Sequence, residues 1–258
     1  MIVIKTPEEI ERMRVACSAA AQTLNAVARE VQPGRTTAEL NNVAAALIEK
    51  LGGKSPFLGY KGYPGHICVS VNEEVVHGIP SQRRVQYGDI VSLDIGVIVN
   101  GFVGDNATTV AVGVVEDRTQ RLLQVTEQAL YAGIAAARAG NRVSDISRAI
   151  QTRVEANGFS VVREFVGHGV GRKMHEEPQI PNYVASGPDP KLKPGMTLAI
   201  EPMINAGGSE VVMLSDGWTV VSADGAPSAH FEHTVLVTDG DAEILTWLKK
   251  SPYELKAQ

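Results

Sequence analysis

Four acids of this 258-residue chain lie inside apolar runs: Asp94 in IVSLDIGVIV, Asp105 in GFVGDNATTV, Glu201 in TLAIEPMI and Glu232 in AHFEHTVLV. An unpaired carboxylate in such a setting is costly. Asp94 and Asp105 flank Asn100-Gly101, the dipeptide that most favours a two-residue type I′ hairpin turn. With that turn, Asp94 falls opposite Ala107 and Asp105 opposite Gly96. Side chains alternate faces along a strand, so both aspartates share one face as diagonal neighbours, roughly 7–8 Å apart at the backbone. Carboxylates this close repel unless a proton or a cation sits between them. The hairpin predicts a bound cation.

Glycines flank His168 in the stretch EFVGHGVGRKMHEEP, which leaves the backbone room to bend and a ligand room to approach. Four carboxylates and one imidazole suit a pair of metal ions about 3.5–4 Å apart, one of them with a nitrogen ligand. Oxygen-dominated ligation favours Mn, Fe(II), Co or Mg over structural Zn. His77 in VVHGIP and His175 are not needed as ligands and are free to hydrogen-bond a substrate. His66, His230 and His233 are expected to be structural. His233 follows Glu232 directly and so points to the opposite face.

The elements that must position these groups occur twice. A helix over residues 7–31 has Thr6 as N-cap with Glu9 completing a capping box, and a second begins at Thr36 with Glu39 and ends at Gly52-Gly53. The hairpin closes this half. The order then restarts with a helix over 117–138 and a shorter one from near Ser144 to Asn157-Gly158. Gly34, Glu39, Leu40, Ile48, Glu49 and Gly52 recur 106 positions later as Gly140, Asp145, Ile146, Val154, Glu155 and Gly158. Gly88 and Asp94 recur 107 positions later as Gly195 and Glu201. The near-constant offset predicts one α+β domain, 1–258, built from two related halves of about 1–113 and 114–250. Asp105 then corresponds to Glu232, and two facing halves bring all four acids together.

Composition narrows the partners. A net charge of −5 leaves no basic footprint for nucleic acid or an anionic membrane. The amino-terminal stretch passes directly into a charged helix and does not read as a secretory signal. No apolar run approaches the ~20 residues that span a bilayer. Cys17 and Cys68 are too few for a disulfide scaffold or a zinc module, so a cytoplasmic location is expected.

Asp94, Asp105, His168, Glu201 and Glu232, spaced by 11, 63, 33 and 31 residues, together with VVHGIP and GHGVGRKMHEEP, resemble the type I methionine aminopeptidases over essentially the whole chain. The resemblance implies the pita-bread fold, two pseudo-twofold halves with two metals between them. Type II enzymes carry a helical insertion between the two glutamates, for which 31 residues leave no room. Prolidase and aminopeptidase P relatives usually add an amino-terminal domain, and eukaryotic type I forms a Cys/His-rich zinc region. The short bacterial-style form fits best.

Carried over by position, the resemblance implies that Asp94 binds one metal, His168 and Glu201 bind the other, and Asp105 and Glu232 bridge. The hairpin alone does not distinguish which aspartate bridges. Two divalent ions (Co, Mn, Fe(II) or Zn) would activate water for attack on the carbonyl of an amino-terminal methionine. His175 would stabilise the carbonyl oxygen, His77 would assist the leaving nitrogen, and Glu201 would also carry a proton. Tyr60, Tyr63, Cys68, Met174 and Trp218 would form the methionine pocket, although Cys68 reads equally well as a small buried hydrophobe. Met174 stands where many relatives have Phe, and Asn106 where Thr or Ser is frequent. The implied partners are peptides and nascent proteins that begin with methionine, with a small second residue preferred. A monomer and contact with the ribosome are expected.

Overall fold

A computed structural model describes residues 1–247. Helix α1 (Pro7–Glu30) starts at the Thr6–Glu9 capping box and α2 (Thr37–Lys50) at the Thr36–Glu39 box. Strands β1 (Cys68–Val71) and β2 (Glu74–Val76) lead to the long hairpin of β3 (Ile90–Val99) and β4 (Phe102–Ala111). Helices α3 (Asp117–Ala136) and α4 (Val143–Glu155) open the second half. Helix α4 begins at Val143, in line with the expected start near Ser144. Asp145 Oδ2 accepts from the Arg142 backbone N–H, while Ser144 bonds to Asp189 on the neighbouring loop. The remaining strands are short: β5 (Ser160–Val161), β6 (Gly167–Gly169), β7 (Glu176–Ile180), β8 (Thr197–Ile200), β9 (Met203–Asn205), β10 (Val211–Met213), β11 (Val220–Ser222), β12 (Ser228–His230), β13 (Glu232–Leu236) and β14 (Glu243–Ile244).

One large antiparallel sheet runs β1-β3-β4-β13-β8-β6-β7, with β14 added on β13. Two smaller three-stranded sheets run β10-β11-β2 and β12-β9-β5. This is the α+β pita-bread architecture. The helices of each half cover their own part of the large sheet. Met13, Leu24 and Leu40 pack with Leu93, Ile95 and Phe102 in one core cluster, and Leu122, Ile146 and Ile150 pack with Leu198 and Ile200 in the other.

The Asn100-Gly101 turn has φ of 52° and 77°, the left-handed pair a type I′ turn requires. Asp94 accordingly pairs with Ala107, and Asp105 with Gly96. The recurring glycines keep matching conformations: φ is 90° at Gly34 and 92° at Gly140, 71° at Gly52 and 73° at Gly158, and 92° at Gly88 and 88° at Gly195. Isolated bridges Thr36–Arg84 and Arg142–Lys191 occupy equivalent places in the two halves. Of the domain expected from sequence, 1–258, residues 248–258 lie outside the described part, and with them the last residues of the second half. No helix among the described residues is long and apolar enough to cross a membrane.

Candidate metal centre and active site

The middle of the large sheet is a row of paired positions: Cys68 on β1, Asp94 on β3, Ala107 on β4 and Glu232 on β13. Asp105 lies two residues before Ala107 and therefore on the same face. The next strand, β8, delivers Glu201 from the residue just after its end, and β6 delivers His168, which pairs with Ala199. The sheet alone therefore brings the five predicted ligands to one face.

Asp105 and Glu232 are each 2% exposed and His168 8%. Donor atoms of Asp94, Asp105 and Glu232 lie within 4.8 Å of one another, as do those of Glu201, His230 and Glu232, so Glu232 belongs to both groups. His168 Nε2 stands 3.4 Å from Glu201 Oε1 and 3.7 Å from Asp105 Oδ2. Its other nitrogen, Nδ1, is 2.9 Å from the Gly169 carbonyl. A carbonyl only accepts, so Nδ1 carries the proton and Nε2 presents a lone pair to the acids. The glycines beside His168 are required by close strand approach. A Cβ at Gly167 would stand 2.4 Å from Ala199 O, and one at Gly169 would stand 2.3 Å from Glu177 O.

Burial pushes the Asp94 carboxyl up to about 7, with Glu201 adding to the rise and His230 opposing it. Burial likewise pushes Glu201 up to about 7 against the pull of His168. Asp105 and Glu232 are raised well above the ordinary carboxylate range, first by burial and then by the neighbouring acids. Asp94 Oδ1, Asp105 Oδ1, Glu232 Oε1 and His230 Nε2 are all buried without a hydrogen-bond partner. Orphaned buried acceptors that repel one another are what a multivalent cation would satisfy. The residues present fit a metal centre.

Residues 11–239 match the metallopeptidase family M24. The chain belongs to that family. It is 52% identical to methionine aminopeptidase 1 of Bacillus subtilis over 95% of this chain and 99% of the relative. Its fold superposes on a methionine aminopeptidase from Thermotoga maritima with a TM-score of 0.94 and 48% identity, covering 96% of this chain and 100% of the other. A prolidase from Pyrococcus furiosus shares the fold at TM-score 0.78 and 24% identity, and 66% of that protein is covered. The chain is thus a member of a metallopeptidase family whose carboxylate and imidazole cage is compatible with metal binding.

A cavity of about 430 Å³ opens onto the cage. All five expected pocket residues, Tyr60, Tyr63, Cys68, Met174 and Trp218, line it, as do His77 and His175. They differ in kind. Tyr63 is 2% exposed and donates to the carbonyls of Ile67 at 3.1 Å and Gly78 at 2.9 Å, so it braces the pocket wall. Trp218 packs edge-on against Tyr63, with ring centres 5.0 Å apart. Tyr60 is exposed at the rim, 5.9 Å from the ring of His175. Cys68 is both buried and on the cavity wall.

His77 is held at φ 61°, a left-handed conformation that non-glycine residues rarely adopt. The next residue clamps the loop onto β1. Gly78 N donates to Ser70 Oγ at 3.0 Å, Val69 N donates to Gly78 O at 3.0 Å, and a Cβ at Gly78 would stand 2.3 Å from Val69 O. Burial lowers the His77 imidazole to about 4, so it is neutral at pH 7.

Two participants escaped the sequence reading. Phe165 packs edge-on to His77 at 5.3 Å from a loop with no periodic pattern to flag it. His230, expected to be structural, instead aims Nε2 at Glu201 Oε2 from 3.6 Å. A signal for it existed: His230 lies two residues before Glu232, on the same face of an extended run. The expectation for His233 agrees with the structure, for its ring turns away and bonds Thr246.

Proposed function

We propose that this chain is a dinuclear metalloaminopeptidase that removes the initiator methionine from nascent proteins and peptides. The observation that carries this reading is the cage of inward-facing donors beside an aromatic and thioether-lined cavity. In the proposed assignment Asp94 would hold one ion, His168 and Glu201 would hold the other, and Asp105 and Glu232 would be shared between them. The position of Glu232 in both donor groups supports its bridging role. The pair, drawn from Co, Mn, Fe(II) or Zn, supplies Lewis acidity that makes water nucleophilic at neutral pH.

The chain's own residues do the rest. The methionine side chain lies among Tyr60, Tyr63, Cys68, Met174 and Trp218. His175 donates to the carbonyl oxygen as it gains charge. Glu201 takes the proton lost by the attacking water and returns it to the leaving nitrogen. Neutral His77 holds the scissile amide by a hydrogen bond. The products are methionine and a peptide with a new amino terminus. We read 1–258 as one catalytic domain with halves of about 1–113 and 114–250, a view supported by the sheet that crosses both halves. A cytoplasmic monomer working without a membrane or nucleic acid, near the ribosome, completes the proposal.

Metal-reconstituted protein should cleave Met-Ala-Ser faster than Xaa-Pro peptides, and Met-X substrates more slowly as X grows. Faster Xaa-Pro cleavage would assign the chain to the prolidase branch of the fold. No metal-dependent cleavage of either would make it a binding module.

A further inference from the structure

His230 is 2% exposed, and its Nε2 is buried with no hydrogen-bond partner. The residue is held firmly by its backbone. His230 N donates to Thr109 Oγ1 at 2.9 Å, and the same hydroxyl donates to His230 O at 2.8 Å. Thr109 Oγ1 in turn lies 2.8 Å from Ser92 Oγ, so a buried polar relay across β3 and β4 fixes the end of β12. Phe231 interrupts the strand between β12 and β13, and His230 and Glu232 both face the cage from either side of it.

The spacing of the imidazole is informative. His230 Nε2 is 3.6 Å from Glu201 Oε2, beyond the ~2.7–3.2 Å of an N–H···O hydrogen bond. Two donors ~2.1 Å from a common ion lie ~3.4 Å apart at a tetrahedral angle and ~4.2 Å apart when opposed. The separations from His168 Nε2, 3.4 Å to Glu201 and 3.7 Å to Asp105, fall in the same range. Glu201 faces His168 with Oε1 and His230 with Oε2, so the two imidazoles approach different oxygens of one carboxylate.

We propose that His230 Nε2 is a second nitrogen ligand of the metal centre, acting with Glu201 and Glu232. This rests on the metal-dependent reading above. A second imidazole makes the donor set softer than four acids and one histidine, and so favours Zn, Co or Fe(II) over Mn and Mg.

Histidine-selective 15N NMR of the full chain saturated with zinc counts coordinated imidazoles directly. The expected spectrum has two zinc-bound ring nitrogens in the unmodified protein, one in His230→Gln and one in His168→Gln. Calorimetric titration should show His230→Gln weakening zinc at one site by at least ~10-fold, with a smaller loss for Mn. A single coordinated imidazole that disappears in His168→Gln and persists in His230→Gln would overturn the inference. So would equal zinc affinity in His230→Gln and the unmodified chain. The spectrum of the unmodified chain decides between two and one even where a variant fails to fold. Zinc binding by neither form would refute the metalloaminopeptidase reading itself, a separate outcome.

Discussion

Stripping the ions from the cage should destabilise the protein more as pH rises. In the metal-free chain burial holds Asp94 and Glu201 near 7, against ordinary values of 3.8 and 4.5, and raises Asp105 and Glu232 well above the ordinary carboxylate range. Between pH 5 and about 6.5 the folded metal-free chain therefore holds about two protons, on Asp94 and Glu201, that the unfolded chain has released. A raised folded pKa gives stability that is present below the unfolded pKa and lost as pH rises through the folded one. With ions bound, the same carboxylates are ionised in both states and that loss vanishes. Buried His77 and His233, both lowered to about 4, act in the opposite direction, because the unfolded chain takes up protons below pH 6.5. Their contribution is common to the loaded and stripped forms and cancels in the difference. Two protons at ~1.4 kcal/mol each per pH unit make roughly 3 kcal/mol per unit below about pH 6.5. At ~2–4 °C per kcal/mol for a chain of this size, the gap between loaded and stripped Tm should widen by roughly 6–12 °C per pH unit. Scanning calorimetry with excess Mn or with chelator, from pH 5.5 to 7.5, measures the gap. Calorimetric binding at pH 6 in two buffers of different ionisation enthalpy counts the released protons. A gap that is flat or narrows with pH, or less than one proton released, would refute the reasoning.

Three further outcomes follow from particular contacts. His77→Ala should lower kcat by ~10²-fold or more while elemental analysis finds unchanged metal content, and an equal fall in both would mark His77 as structural or a ligand. Lys5 and Glu176 form a 2.7 Å ion pair with side chains 2% and 8% exposed, which ties the amino-terminal segment to the strand after His175. Lys5→Met should cost ~3–5 kcal/mol in chemical denaturation, and adding Glu176→Leu should recover most of it; simple additivity would exclude a buried pair. At Gly104 a Cβ would stand 2.5 Å from the Ala16 backbone and from Cys17 Cα, so Gly104→Ala should lose ~1–3 kcal/mol or more by forcing α1 off β4.

The metal cage was legible in sequence where local chemistry fixed a register. Asn100-Gly101 determines the turn, the turn determines which residues pair, and pairing places Asp94 and Asp105 on one face. The cavity was legible only through family resemblance, because Tyr60, Tyr63, Met174 and Trp218 of its wall lie outside strands, where no period operates. Phe165 illustrates this, and Tyr63 shows that one residue can both line a pocket and brace it. His230 was missed for a different reason. A lone histidine near an apolar run usually reads as a satisfied core residue, and only its i, i+2 relation to Glu232 argued otherwise.

That omission changes how the halves divide the work. The first half contributes Asp94 and Asp105 to the cage, oxygen donors on a continuous hairpin. The second half contributes Glu201 and Glu232 and also both imidazoles, His168 and His230. Its strands are broken where the hairpin is not: β12 and β13 part at Phe231, and β6 shifts register between His168 and Gly169. His230 and Glu232 nevertheless keep one face across the break at Phe231, as alternation along an extended run requires. A duplicated carboxylate pair alone would make two equivalent, oxygen-only sites. Under the proposed assignment the imidazoles of the second half would make them unequal, with one ion on hard oxygen donors and its neighbour on nitrogen as well. Unequal donors bind the same metal with unequal affinity, so loading should proceed in two resolved steps, the nitrogen-bearing site first for Zn, Co or Fe(II).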